Sequence, residues 1–390
     1  MRILQLHTRY RQRGGEDAVV ETEAELLRAA GHEVITHLAE NPSEGLAAAR
    51  SFAAAPWNPL AARRVQQDAA RSSPDVVHVH NTWFALTPSV LAPLRELGLP
   101  VVATLHNYRL VCAAATLFRD GAPCTDCVGT HPGHAVRHGC YRGSSLQSAV
   151  AAGSIALQAA RGTWHRDVDR FLALTEFGRR QFIEGGLPAD RLEVKSNSVA
   201  DPGPRRQPPS ASRRVVFLGR LSEEKGLGVL LEAWRRAAPS LELAVVGEGP
   251  MGAELRANAP AGVRFLGSLP PEQVRSLLLE ARALVFPSMW FEGQGLVALE
   301  AAAARLPVLL SDLGAMTELF APHAESLLMA PGDPAAVAAA IARLEDDAFV
   351  DTHGELTRRC YDERYTHRVA LERLEATYRA VIAERAGHAT

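Results

Sequence analysis

The 390-residue chain is long enough for two or three conventional domains, and its 47% apolar and 22% charged residues describe a globular protein with ample core. That composition excludes a repeat array and a disordered acidic tail, and a formal net charge of -2 argues against a nucleic-acid partner, which demands a strong basic excess.

The N-terminal stretch MRILQLHTRYRQRGG carries too short an apolar run for a signal peptide and enters directly into strand-like sequence. Cytoplasmic residence is the expectation, with peripheral contact at the inner face of a membrane left open. No apolar run reaches the roughly 18 to 20 residues of a spanning helix. RILQLH, HEVITH, DVVHVH and PVVATLH read as buried strands, and EDAVVETEAELLRAAG reads as a helix closed by Gly31. RFLALTEF and LEVKSN continue the series. Short Val/Ile/Leu runs alternating with helical periods predict a parallel sheet wrapped by helices, an α/β doubly wound domain over 1–200.

The segment 201–213, DPGPRRQPPSASR, is proline-rich and without periodicity, and reads as a linker. The pattern then restarts over 214–365 with RRVVFLGRL, LELAVVGEG, VRFLGSL, ALVFPS and PVLLSD. Leu227, Leu230, Leu231 and Trp234 follow the spacing of one buried helix face. Residues 366–390 are expected to form a C-terminal helix packing back on the N-terminal domain. Two such Rossmann-like domains would face a cleft, with ligands beyond the carboxyl ends of the strands.

Several loops carry candidate chemistry. Gly14 and Gly15 lie between the first strand and first helix, where bare N–H groups favour anions; a plain turn explains them equally well. Gly219 and Arg220 end a strand, and Lys225 follows before a helix, a pair of cations suited to a diphosphate. GEGPMG at 247–252, which includes Gly249, matches a dinucleotide fingerprint in form only. The next strand, VRFLGSL, lacks the terminal carboxylate that holds a ribose, which disfavours a nicotinamide enzyme. Asp167 and Asp169 form a D-x-D pair at the entry end of a strand, the wrong edge for a ligand site, and read as structural.

Cys112, Cys124, Cys127 and Cys140 are spaced C-x11-C-x2-C-x12-C. The central C-x2-C pair suits one metal ion, so the spacing favours structural zinc over free thiols or labile disulfides. His131, His134 and His138 are candidate substitutes for one thiolate. The segment shows no strong apolar pattern, which implies that its order has another source.

FEGQGLVALEAAAARLPVLLSDLGAMTEL, preceded by ALVFPS, resembles the donor segment of the retaining glycosyltransferases of family four, whose two-domain architecture is called GT-B. GGED, DVVHVHN, TLHNYRLVC, FLGRLSEEKGLGVLLEA, VVGEGP and APGDPAAVAAAIARL extend the resemblance along the chain. It implies that Arg220 and Lys225 neutralise the diphosphate of a nucleotide-sugar donor, that Glu300 accepts hydrogen bonds from the ribose, and that Glu292 lies near the donor sugar. It further implies that Gly293, Gln294, Gly295, Leu296 and Val297 present helix-start amides, and that His106 faces the sugar. A saccharide or lipid-linked acceptor is implied, as is a front-face displacement without a catalytic metal. Many family members carry Phe or Tyr where Gln294 stands and Gly where Arg305 stands; the glutamine is a candidate sugar contact and the arginine a helix-end cation. The cysteine loop, following His106, is expected to border the acceptor side. Competing readings are a nucleotide-sugar epimerase or sugar phosphorylase on the same scaffold, and a binding homologue without turnover.

Overall fold

The computed structural model describes residues 1–9, 14–42, 44–322 and 325–388. They divide into two compact units: Met1–Leu117 with Thr125–Ser196 and Ala370 onward, and Phe118–Cys124 with Asn197–Val369. The division falls at Asn197, ahead of the proline-rich segment read as a linker. The last helix, His367–His388, runs mostly with the first unit.

The first unit is built on strands β1 (Arg2–Arg9), β2 (Glu33–Glu40), β3 (Val76–Asn81) and β4 (Val101–Leu105). A small antiparallel pair, β5 (Phe118–Arg119) and β6 (Ala122–Pro123), belongs to the second unit, after which β7 (Arg170–Ala173) and β8 (Leu192–Val194) complete the first. The six strands are parallel in the order β2-β1-β3-β4-β7-β8. Helices cover both faces, so β3 and β4 are buried along their whole length, which is why they read as near-continuous apolar runs. Ile3, Leu27, Val76, Val102 and Leu172 form a core against Leu374, Tyr378 and Val381 of the C-terminal helix.

The second unit repeats the plan with β9 (Arg214–Leu218), β10 (Glu242–Val246), β11 (Val263–Gly267), β12 (Ala283–Phe286), β13 (Val308–Ser311) and β14 (Leu328–Met329). Their order, β11-β10-β9-β12-β13-β14, is again parallel, with the direction of winding reversed between β9 and β12. Leu227, Leu230, Leu231 and Trp234 are all buried on one face of the helix Leu227–Ala237, as their spacing requires. The strand β14 and the β5–β6 pair, two residues each, escaped the pattern analysis because so short a run shows no period.

The cysteine segment is ordered by aromatic packing. Tyr141, Trp83, Phe84, Ala113 and Ala135 form one buried cluster, with Cys127 and Cys140 packed against it. Phe52 stacks on Tyr141 at 5.5 Å, and the Arg109 guanidinium lies 4.8 Å from the Trp83 ring centre. The apolar partners come from distant stretches of chain, so the segment's own sequence did not reveal them.

Arg305 follows the helix Leu296–Ala303 with φ 58, the left-handed place after a helix C-cap that favours glycine. Its guanidinium pairs with Glu355 at 2.7 and 2.9 Å. The GEG turn is likewise a packing device. Gly247, at φ +129, lies so close to the preceding crossover that an added Cβ would stand 1.9 Å from the Gly219 carbonyl oxygen. Gly247→Ala is therefore expected to cost about 3 kcal/mol or more, read as a fall in denaturation midpoint. Gly228→Ala, in the helix Leu227–Ala237 with only ordinary contact to Leu255, should instead stabilise by about 0.5–1 kcal/mol.

Candidate functional site

In a parallel sheet the loops leaving two neighbouring strands diverge where the winding reverses, and the crevice they open is where ligands bind. In the second unit those strands are β9 and β12. Gly219, Arg220 and Lys225 follow β9; Glu292, Gly293, Gln294 and Gly295 follow β12. The structure thus brings Gly219, Arg220, Lys225 and Glu292 to Gly295 onto loops of one unit, while Gly14 and Gly15 lie in the other.

At its centre the Lys225 ammonium donates to Glu292 Oε1 at 2.7 Å, and the Ser288 hydroxyl donates to the same oxygen at 2.6 Å. Glu292 is buried and Lys225 is largely so. The Lys225 nitrogen also lies 4.9 Å from the Trp290 ring centre and 5.7 Å from that of Phe286. An anion entering here meets an ammonium already held by a carboxylate and two ring faces. Arg220 is exposed at the mouth.

Gly295 takes φ 76 as N-cap of the helix Leu296–Ala303, with Phe286 and Met316 close against the place where a side chain would begin. A left-handed cap here turns the chain so that Leu296 and Val297 open the helix, and first-turn amides have no intrahelical acceptor. Glu300 lies on that helix, half-buried, and burial pushes its carboxyl up to about 7.

Gln294 is buried, and its side-chain oxygen accepts from the Asn197 backbone N–H at 2.8 Å. It therefore anchors the chain at Asn197, a role that the sequence, read for sugar contacts, did not suggest. Its amide nitrogen, Trp290 Nε1 and the Ser311 hydroxyl are buried polar atoms without a hydrogen-bond partner among the described residues. Trp290 and Gln294 lie on the loop after β12, and Ser311 ends the neighbouring strand β13. Ser288, Trp290 and Asn197 were missed in the sequence because Ser and Asn are common in loops and only the fold converges them. Gly249 serves packing as Gly247 does: an added Cβ would lie 2.4 Å from the Leu221 carbonyl oxygen.

The first unit places Gly14 as N-cap and Gly15 as the first residue of the helix Gly15–Ala29. The Asp17 carboxylate accepts from the Gly14 N–H at 2.9 Å and bonds His7 Nε2 at 2.8 Å, fixing the turn from beneath. The rest of that loop, 10–13, lies outside the described residues. His106, just past β4, is half-buried and lines a cavity of about 60 Å³ with His80, Asn81, Trp83, Asn107 and Arg109. Burial, with His7 and His78 nearby, pulls His106 down to about 3.

Asp167 and Asp169 are committed to the fold. Arg166 donates twice to Asp167 at 2.7 Å; Asp169 accepts from the Val101 N–H at 2.7 Å and pairs with Arg385. For the cysteines, Cys112, Cys127 and Cys140 lie in the first unit and Cys124 in the second. Among the described residues, the group of three or more His, Cys, Asp or Glu whose ligand atoms approach within 4.8 Å is Glu23, His78 and His80. Among the described residues the thiols of the first unit form no such group, and structural zinc is not shown. The histidine group does not fit a metal. Both His78 nitrogens are engaged, by Thr104 at 2.8 Å and Tyr378 at 2.7 Å, and the Lys195 ammonium sits against Glu23.

No helix is long and apolar enough to cross a membrane among the described residues. Comparison with known proteins matches residues 13–201 to the family described as Glycosyltransferase Family 4 and residues 212–347 to that described as Glycosyl transferases group 1. The chain is 29% identical over 276 residues to the teichuronic acid biosynthesis glycosyltransferase TuaC of Bacillus subtilis, covering 70% of this chain and 62% of that protein. It is 29% identical over 359 residues to the phosphatidyl-myo-inositol mannosyltransferase of Mycolicibacterium smegmatis, covering 86% of this chain and 82% of the relative. The match to TuaC, like that to the glycogen synthase of Mycobacterium tuberculosis at 61%, spans less than two thirds of the relative's length. Among solved structures, Anabaena Alr3699/HepE in complex with UDP superposes with a TM-score of 0.71 at 18% identity, covering 97% of this chain and all of that one, which shows the shared fold. With matches to both halves and two Rossmann-like units, the chain belongs to the family-four glycosyltransferases of the GT-B fold.

Proposed function

We propose that the protein is a retaining glycosyltransferase that takes a sugar from a nucleoside-diphosphate donor and passes it to a saccharide or lipid-linked acceptor. The observation that carries this reading is the Lys225–Glu292 pair joining the loops that leave β9 and β12, ahead of the helix Leu296–Ala303. Arg220, just past β9, and Lys225, ahead of the next helix, would neutralise a diphosphate, stabilising it as leaving group. Leu296 and Val297 offer first-turn amides to the same charge. UDP in Alr3699/HepE, a protein of the same fold, supports a nucleotide in this scaffold.

The ligand-free pairing of Lys225 with Glu292 refines the role of both. A diphosphate competes with Glu292 for the ammonium, so the carboxylate becomes available to the donor sugar's hydroxyls as the phosphate binds. The Ser288 hydroxyl still donates to Glu292 Oε1 when Lys225 turns to the phosphate, and a front-face displacement needs no protein nucleophile. In that reaction the bond from the anomeric carbon to the phosphate oxygen breaks as the acceptor oxygen bonds on the same face. The departing phosphate oxygen takes the acceptor's proton, and the protein supplies orientation and charge. His106 is assigned a contact to the donor sugar.

Three outcomes test the reading. In a thermal-shift panel of UDP, GDP, ADP and TDP, one nucleotide at 100 times its dissociation constant should stabilise by about 2.7 kcal/mol. Arg220→Ala should remove most of that shift; an unchanged shift would put the diphosphate elsewhere. The product of an α-linked donor, followed by proton NMR of the anomeric signal, should be α-linked, and a β product would end the retaining assignment.

Glu300 supplies a pH dependence. A ribose diol needs the carboxylate as acceptor, so nucleotide affinity should fall as pH drops below about 7, by about tenfold at pH 6 relative to pH 8, in wild type but not in Glu300→Gln. Stability runs the other way. A carboxyl raised from 4.5 to about 7 favours folding below about pH 4.5, and that contribution is lost as pH rises through about 7. At 1.4 kcal/mol per unit, Glu300→Gln should recover up to about 3 kcal/mol at pH 8 and little at pH 4.5. Denaturation at the two pH values checks both the sign and the size.

A further inference from the structure

His106 is not isolated in the first unit. Its Nε2 lies 3.0 Å from His80 Nδ1, and the two rings stack with centres 5.3 Å apart. His80, on β3, is buried, and its other nitrogen, Nε2, has no hydrogen-bond partner. That nitrogen faces Glu23 Oε2 at 3.7 Å, and this oxygen too is buried and without a hydrogen-bond partner. The other oxygen of Glu23 is held by the Lys195 ammonium. Both partners of this pair are buried.

We infer that the Lys195–Glu23 pair and His80 act as a positioning chain that fixes the tautomer of His106, leaving its Nδ1 as a hydrogen-bond acceptor. Two buried orphan atoms face each other, and a proton on His80 Nε2 gives each a complementary partner, whereas a lone pair there would oppose two acceptors. With Nε2 protonated, neutral His80 offers only a lone pair at Nδ1. The bond at 3.0 Å then requires the hydrogen to come from His106 Nε2. His106 is left with a bare Nδ1, suited to accept from a sugar hydroxyl.

Every group around His80 fits this arrangement. His78 stands 4.0 Å away, ring centre to ring centre, and is fixed in place by Thr104 and Tyr378. His7 lies edge-on at 6.4 Å, engaged with Asp17. Burial, with the three neighbouring imidazoles, holds His80 well below the usual histidine range, so it stays neutral and has a single ring proton to place. Burial also pulls Lys195 down, to about 7, while its contact with Glu23 favours the ammonium.

The inference rests on the assignment of His106 to the donor sugar for its functional meaning, and its test is separable from that assignment. Full-length protein labelled with ¹⁵N-histidine reports ring protonation directly, and the His106 signals are identified by their loss in His106→Gln. Wild type should show His106 protonated at Nε2 and bare at Nδ1, with His80 in the same form. A proton on His106 Nδ1 overturns the inference, whatever the enzyme's activity. Glu23→Leu combined with Lys195→Met, which removes the buried charges together, should let His106 populate both forms; an unchanged single form overturns it. His80→Gln, whose carbonyl oxygen can still accept from His106, should retain the wild-type form, while His80→Leu should not. In a transfer assay His80→Leu should lower kcat about 10- to 100-fold with the donor KM within about twofold, and His80→Gln should restore most of the loss. A correct tautomer in a wild-type protein that turns over no nucleotide sugar would count against the transferase reading alone.

Discussion

The reversal of winding between β9 and β12 is the constraint on which the second unit's chemistry depends. Two parallel neighbours that send their loops in opposite directions leave a crevice that no side chain of the sheet fills. Lys225 from one loop and Glu292 from the other close it with a bond of 2.7 Å. Breaking a pair this buried by deleting one partner strands a charge and costs several kcal/mol. A ligand that supplies its own negative charge exchanges one partner of the ammonium for another. The pair can therefore hold the empty crevice in shape and still yield to a diphosphate.

The two units use one architecture for opposite electrostatic ends. In the second, ionisable groups collect beyond the strand ends, where Arg220 is exposed and Lys225 partly so. In the first, they lie within the strands themselves. His7 is on β1 and His78 and His80 on β3, roofed by Glu23 from the first helix and by Tyr378 from the last. Groups at a loop mouth can meet an ion from solvent. Burial holds His78 and His80 neutral, so what remains to be organised between those rings is the direction of hydrogen bonds.

What could be read from the sequence follows the reach of each interaction. The strands of both sheets were legible because parallel strands buried on both faces are written as contiguous apolar runs, and the helix carrying Leu227 and Trp234 because its period is local. Arg220, Lys225, Glu292 and Glu300 were legible as a spaced set. Their pairing was not, since Lys225 and Glu292 are 67 positions apart and no local rule joins them. Beside the cysteines, Tyr141 and Trp83, 58 positions apart, pack in one aromatic cluster that the local C-x2-C spacing gives no sign of. His78 and His80 carried a signal that was passed over, for alternation on a strand puts them on one face.

Gln294 shows how the two scales meet in one residue. Its oxygen is spent on the Asn197 backbone, a structural contact 97 positions away, and its nitrogen is buried with nothing to donate to. A Phe or Tyr at this position, as in many family members, could not hold Asn197 in the same way. Holding that backbone with a side chain fixes the amide's orientation, so the nitrogen's direction is set before any ligand arrives. A donor whose orientation is already fixed loses little entropy on binding, and one left unpaired by the wrong sugar costs its full desolvation. Gln294 thus couples the segment at Asn197 to a buried amide nitrogen whose direction the fold sets.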